Sequence, residues 1–305
     1  MSTKLPVVQS IPHGGLAVPQ EVRDILAIDE VTIYNECDLW VEHLFDFAHP
    51  DLPGPDTLGR VNMPIARVFI DANRPPDDLD NPDGPVKTQT SYGDPIYTTP
   101  LSRAMKETLL QRYWRPYHRA LDGLIRQHAP EMRLFLDCHN MAQEGPTAYA
   151  DPGQARPLVD VINNGDANGE YVPEYGSLTA PPWLARAAAE MAQELFQDME
   201  LLEPVPGQEV ATVKLNQPFR GGYILRYYAS QAYRRTLPPG SFPYVGLMVE
   251  VNRGLFVGRQ TTRTPIAPPN QERIAAIRER LYRWTTQVLA LIRDEEARIL
   301  RWEAP

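Results

Sequence analysis

Residues 101–128, LSRAMKETLLQRYWRPYHRALDGLIRQH, place apolar side chains at helical spacing and then lead into a short apolar stretch, MRLFLDCHN. Leu110, Tyr113, Trp114, Tyr117, Leu121 and Leu124 share one helix face. A helix with one apolar face, followed by a strand too uniformly apolar to be half-solvated, needs a layered partner that buries both. The same alternation recurs. LPVVQSIPHGG reads as a strand with a Gly-rich turn, and MPIARVFIDANRPP as a strand closed by a polar cluster and two prolines. YVGLMVEVNRGLF reads as a strand carrying a carboxylate in an apolar setting. EVTIYNECDLWVEHLFDFA suits an amphipathic helix from about Asp38 onward, PWLARAAAEMAQELFQDMELL a helix with Pro182 near its start, and NQERIAAIRERLYRWTTQVLALIRDEEARIL a long terminal helix. Pro116 is expected to kink or divide the 101–128 helix. The fold class is therefore α/β. Without an internal repeat or a linker separating two cores, one domain is expected over residues 1–305.

Composition narrows the function classes. The formal net charge of −9 argues against non-specific nucleic-acid binding. No apolar run approaches the roughly 20 residues of a membrane span, and the N-terminal MSTKLPVVQSIPH lacks the apolar segment of a secretory signal. Cys37 and Cys138 are too few for a disulfide framework and read as free thiols of a reducing, cytoplasmic setting. The 31 prolines cluster between apolar segments, as in ordered loops that rim an active site.

Four expected strand ends carry the chemistry. They are SIPHGG with His13, RVFIDANR with Arg67, Asp71, Asn73 and Arg74, FLDCHN with Asp137 and His139, and MVEVNR with Glu250, Asn252 and Arg253. In open α/β sheets ligands bind beyond the carboxyl ends of the strands. Two histidines and one carboxylate with an open position form a catalytic zinc pattern. His13 and His139 would supply the imidazoles and NECDLW the carboxylate, Asp38 first and Glu36 as the alternative. Glu250 would suit a general base acting on water. Each residue also has a structural reading. The histidines can be hydrogen-bonded packing residues, Asp38 a helix cap, Glu250 an ion-pair partner of Arg253, and Asp71 and Asn73 turn formers. His118 borders a buried helix face and reads as structural; His43, His49 and His128 read as surface residues.

Blocks in a fixed order carry a resemblance. IPHGG, ECDLW, ARVFIDANRP, YGDPIY, PYHRAL, FLDCHNM, NGDANGEY, KLNQPFRGGYILRYYA and LMVEVNRGLF, running from about Val8 to Arg259, resemble the N-formylglutamate amidohydrolase (N-formylglutamate deformylase) family. Cys138, Asn140, Ala66, Ala72 and Tyr227 depart from the family's pattern and bear on the identity of the acyl amino acid. The resemblance implies a three-layer αβα fold with a mixed central sheet, phosphorylase/hydrolase-like and akin to zinc carboxypeptidases. It implies zinc-dependent hydrolysis of N-formyl-L-glutamate, or a similar N-acyl amino acid, in histidine catabolism. One Zn²⁺ per chain would be held by His13, Asp38 (or Glu36) and His139, with Glu250 as base and Asp137 orienting an imidazole. A substrate with two carboxylates suits arginine forks. Arg74 and Arg220 are the first expectation, with Asn73, Tyr223 and Arg226 in the same blocks, whereas Arg67 and Arg253 are expected in structural ion pairs. The expected partner is a small anionic N-acyl amino acid, for a monomer or small homo-oligomer. The competing readings are an amidase for a different N-acyl amino acid and a non-catalytic binding protein on the same fold.

Overall fold

The computed structural model describes residues 4–303, so the two ends of the expected 1–305 unit lie outside the described residues. Six strands, β1 (Leu5–Ile11), β2 (Thr57–Asn62), β3 (Leu134–Met141), β4 (Val159–Ile162), β5 (Val213–Leu215) and β6 (Val245–Asn252), form one sheet in the order β2-β1-β3-β6-β4-β5. Every adjacent pair is parallel except β4 and β6, which makes the sheet mixed. The helices are α1 (Glu30–Glu36), α2 (Val41–Leu44), α3 (Arg103–Leu109), α4 (Arg115–His128), α5 (Pro182–Phe196), α6 (Tyr223–Tyr228), α7 (Gln231–Arg234), α8 (Gln271–Asp294) and α9 (Glu296–Glu303).

Strand periodicity sorts the core into two halves and thereby makes three layers. Successive side chains of a strand point to opposite faces. Val7, Leu134, Leu136, Val245, Leu247 and Val249 pack with α5 and α8 on one side. Val8, Phe135 and Met248 pack with Leu121 and Ile125 of α4 and with Ile224 and Leu225 of α6 on the other. The same alternation puts Ser10, Asp137, His139 and Glu250 on the α4 and α6 side of the sheet, because they continue the rows of Val8, Phe135 and Met248. β3 and β6 are buried along their whole lengths, so neither tolerates a polar side chain without a partner.

The 101–128 segment is divided as expected: a π turn at Leu110–Trp114 separates α3 from α4, whose second residue is Pro116. Two expectations on local structure change. The helix expected from Asp38 is a single turn, α2, because α1 ends at its C-cap Cys37 and the backbone then passes through Trp40 in the left-handed region (φ 61°). The Asp38 backbone N–H donates instead to the His13 carbonyl (3.1 Å), which ties two candidate ligands together. Residues 63–75 do not form a strand. Ile65 and Ile70 make isolated bridges to Ala17 and Val86, and the Phe69 and Ile70 N–H groups both turn back onto the Ala66 carbonyl. A short apolar run is equally compatible with a buried turn, which is why periodicity misassigns it.

Candidate metal centre

His13 lies two residues beyond the end of β1, His139 lies in β3, and Asp38 sits in the turn between α1 and α2. All three are buried, and one ligand-capable atom from each lies within 4.8 Å of the others. His13 Nδ1 is 3.4 Å and His139 Nδ1 3.1 Å from Asp38 Oδ2. The ring centroids of the two histidines are 4.8 Å apart at 65°.

The outward nitrogen of each imidazole is held by a second buried carboxylate. His13 Nε2 meets Asp71 Oδ1 at 2.8 Å, and His139 Nε2 meets Asp137 Oδ1 at 3.3 Å. Such partners fix ring orientation and tautomer, leaving Nδ1 to face the centre. Each carboxylate is itself anchored. Asp137 accepts from Ser10 Oγ (2.8 Å), whose hydroxyl is 2.8 Å from Tyr117 OH. Asp71 accepts from the Asn73 N–H (2.8 Å) and from Arg67 (3.2 Å), and Arg67 also reaches Asp38 Oδ1 (3.4 Å). Asp71, weighed as a turn former, is thus the orienting partner of His13; its signal in the sequence was only its position in the ARVFIDANR block.

The electrostatics follow from burial working against proximity. Burial alone would raise the Asp38 carboxyl, but His13, His139 and Arg67 hold it well below its usual range. Asp71 behaves likewise under His13, Arg74 and Arg67. Burial alone would lower His139, yet Asp137 and Asp38 outweigh it and keep the imidazole charged well above the ordinary range. A divalent cation between the three residues would take the place of that proton. The donor set fits one: His13 Nδ1 is buried with no hydrogen-bond partner, and two imidazoles with one carboxylate suit a borderline cation.

Glu250 faces the same space. β3 and β6 pair His139 with Glu250 in register. Burial pushes the Glu250 carboxyl up to about 7, with the charge on His139 opposing and that on Asp38 adding, and its Oε2 is buried without a partner. The cavity around these groups measures about 260 Å³ and is lined by His13, His139, Glu250, Glu36, Asn73 and five arginines, among other residues. Glu36 is no member of the metal cluster; its Oε2 accepts from the Ser91 N–H and hydroxyl, both at 2.9 Å.

The remaining expected site residues separate. Arg220 lines the cavity, lies over the Tyr175 ring (4.5 Å) and makes no ion pair among the described residues. Arg74 lines it too, but Asp83 takes its Nη2 at 2.7 Å. Asn73 is a buried clamp: its carbonyl accepts from the Tyr223 N–H (3.1 Å), its side-chain oxygen from the Ile224 N–H (2.8 Å), and its Nδ2 is 3.4 Å from His139 Nε2. Tyr223 and Arg226 are outside the cavity lining; Tyr223 stacks on Tyr227. Arg67 is paired with Asp38 and Asp71, whereas Arg253 donates to the Asn35 and Cys37 carbonyls rather than to Glu250. Sequence reasoning passed over Arg156, held by Asp151 at the cavity wall, and Asp160, which accepts from the Gln217 (3.0 Å) and Phe219 (3.2 Å) N–H groups of the loop carrying Arg220. His118 is structural as expected, bonded to Tyr228 and the Ala72 carbonyl, with burial lowering it to about 4. His43 is exposed; His49 and His128 are partly buried beside Asp51 and Glu131.

The family model described as FGase, N-formylglutamate amidohydrolase, matches residues 5–257. The chain belongs to the N-formylglutamate amidohydrolase family. It is 28% identical over 243 residues to an N-formylglutamate deformylase of Pseudomonas putida, covering 75% of this chain and 76% of that protein. Among solved structures, an N-formylglutamate amidohydrolase from Ralstonia eutropha JMP134 superposes with a TM-score of 0.65 at 20% identity, over 96% of each chain. A gene product of Agrobacterium tumefaciens gives 0.57 at 17% identity, over 94% of this chain and 90% of that one. These two likenesses concern the fold. The blocks from His13 to Glu250 all fall within the stretch that the N-formylglutamate amidohydrolase model covers.

Proposed function

We propose that this chain is a zinc-dependent amidohydrolase that cleaves N-formyl-L-glutamate, or a closely similar N-acyl amino acid, to formate and the free amino acid. The observation that carries the reading is the convergence of His13 Nδ1, Asp38 Oδ2 and His139 Nδ1 beside a buried, partly unpartnered Glu250 in an arginine-lined cavity. Family membership supplies the substrate class.

His13, Asp38 and His139 would hold the ion, with Asp71 and Asp137 orienting the imidazoles. A divalent cation there supplies Lewis-acid chemistry, polarising the acyl carbonyl and acidifying water. Glu250 takes the proton of the attacking water and returns it to the leaving amine; a carboxyl raised toward neutrality is suited to both transfers. Arg220 receives a substrate carboxylate at the cavity rim. The arrangement on one sheet supports a single domain of phosphorylase/hydrolase-like type. Buried, unpaired Cys37 and Cys138 support an intracellular setting. No helix among the described residues is long and apolar enough to cross a membrane. Formate release from N-formylglutamate, compared with N-formyl and N-acetyl derivatives of other amino acids, tests the proposal; turnover of none of them by metal-loaded protein would contradict it.

A further inference from the structure

We infer that Arg253 is a buried receptor for a substrate carboxylate; the inference rests on the hydrolase reading above and adds a residue to it. Five arginines line the cavity. Three are committed to carboxylates of the protein itself: Arg67 to Asp38 and Asp71, Arg74 to Asp83, and Arg156 to Asp151. Among the described residues, Arg220 and Arg253 make no ion pair with an acid. Arg220 is exposed at the rim, but Arg253 is 7% exposed.

A buried guanidinium normally has a carboxylate or another anion to offset its loss of hydration. Arg253 has only partial compensation. Its Nη1 donates to the Asn35 (3.1 Å) and Cys37 (2.8 Å) carbonyls, and its Nε is buried with no partner. Neutral carbonyls satisfy donors without cancelling the charge. An anion entering the cavity would do so, and the planar fork suits a carboxylate. Placement supports the role. Arg253 directly follows β6, three residues after Glu250, so a continuous backbone fixes the spacing between receptor and base. With Arg220, the uncommitted cavity arginines number two, matching the two carboxylates of an N-acylglutamate. The competing role is a brace: through Nη1, Arg253 steadies the segment leading to Asp38.

Calorimetric titration separates the two roles. The background is metal-loaded E250Q, so that the ligand is consumed about 10²- to 10⁴-fold more slowly than by the wild type. The ligands are N-formylglutamate, its side-chain amide N-formylglutamine, and its α-amide. The receptor role predicts that Arg253→Met weakens N-formylglutamate binding about ten- to hundredfold and erases the penalty that at least one amide otherwise carries. Arg253→Lys, which keeps the charge and loses the fork, falls between. Bound metal per chain stays unchanged in both variants. Equal weakening of the acid and both amides, with falling metal content, would assign Arg253 to bracing and overturn the inference, as would unchanged binding of all three. If the wild-type protein turns over no formyl amino acid while binding still depends on Arg253, the receptor assignment stands and the hydrolase reading fails.

Discussion

At the residue scale, the proposed chemistry turns on Glu250. A carboxyl placed in a buried strand pays desolvation, and that cost is what raises it to about 7. Replacing it with glutamine removes the proton acceptor while preserving shape. Turnover in E250Q should fall about 10²- to 10⁴-fold with zinc still bound; wild-type-like turnover would remove the base assignment. In the wild type, kcat/KM should decline on the acid side as Glu250 becomes protonated, with the limb at or below about pH 7, since a neighbouring cation favours the carboxylate. The limb should be absent from the residual activity of E250Q. His139 makes a second prediction. Its proton, held by Asp137 and Asp38, must leave before a cation binds. Zinc binding to metal-free protein should therefore release protons and weaken as pH falls, measurable by calorimetry in buffers of differing ionisation enthalpy. Heat independent of the buffer would contradict the ligand set.

Elements explain why some of the site was legible and some was not. β1, β3 and β6 announce themselves as apolar runs, and the register in which β3 pairs with β6 places His139 and Glu250 on one face. Those two residues and His13 could be read from strand ends. Asp38 could not be separated from Glu36 by spacing, because the choice depends on the Cys37–Trp40 turn, where Trp40 adopts a left-handed backbone that no local pattern signals. β4 and β5, at four and three residues, are too short to show a period, and the six-residue β2, TLGRVN, carries few apolar side chains to mark one. With β4 went Asp160, whose role arises from a loop 57 residues away. Arg253, assigned to a structural ion pair, instead meets carbonyls, since ion pairing is a tertiary fact that proximity in sequence to Glu250 does not decide. The β4-to-loop connection yields its own prediction. Asp160→Asn turns an acceptor of two backbone N–H groups partly into a donor. It should destabilise the protein by about 1–3 kcal/mol in urea unfolding and raise KM through the loop that carries Arg220. Unchanged stability and KM would show that the loop holds itself.

Across the whole molecule, the candidate metal site joins parts of the chain far apart in sequence: the end of β1, the α1–α2 turn and β3, with Glu250 from β6 beside them. An ion bound there favours the native state by mass action, since the unfolded chain does not bring His13, Asp38 and His139 together. Zinc at about 100 times its dissociation constant should add about 2.7 kcal/mol, seen as a rise in Tm that a chelator reverses and that His139→Ala abolishes. The most direct test of the central claim joins metal content to chemistry in one preparation: zinc per chain and formate release from N-formylglutamate, before chelation, after it and after zinc is restored. The account predicts one zinc per chain, loss of formate release on its removal and recovery on its return. Formate release that persists in metal-free protein would contradict it.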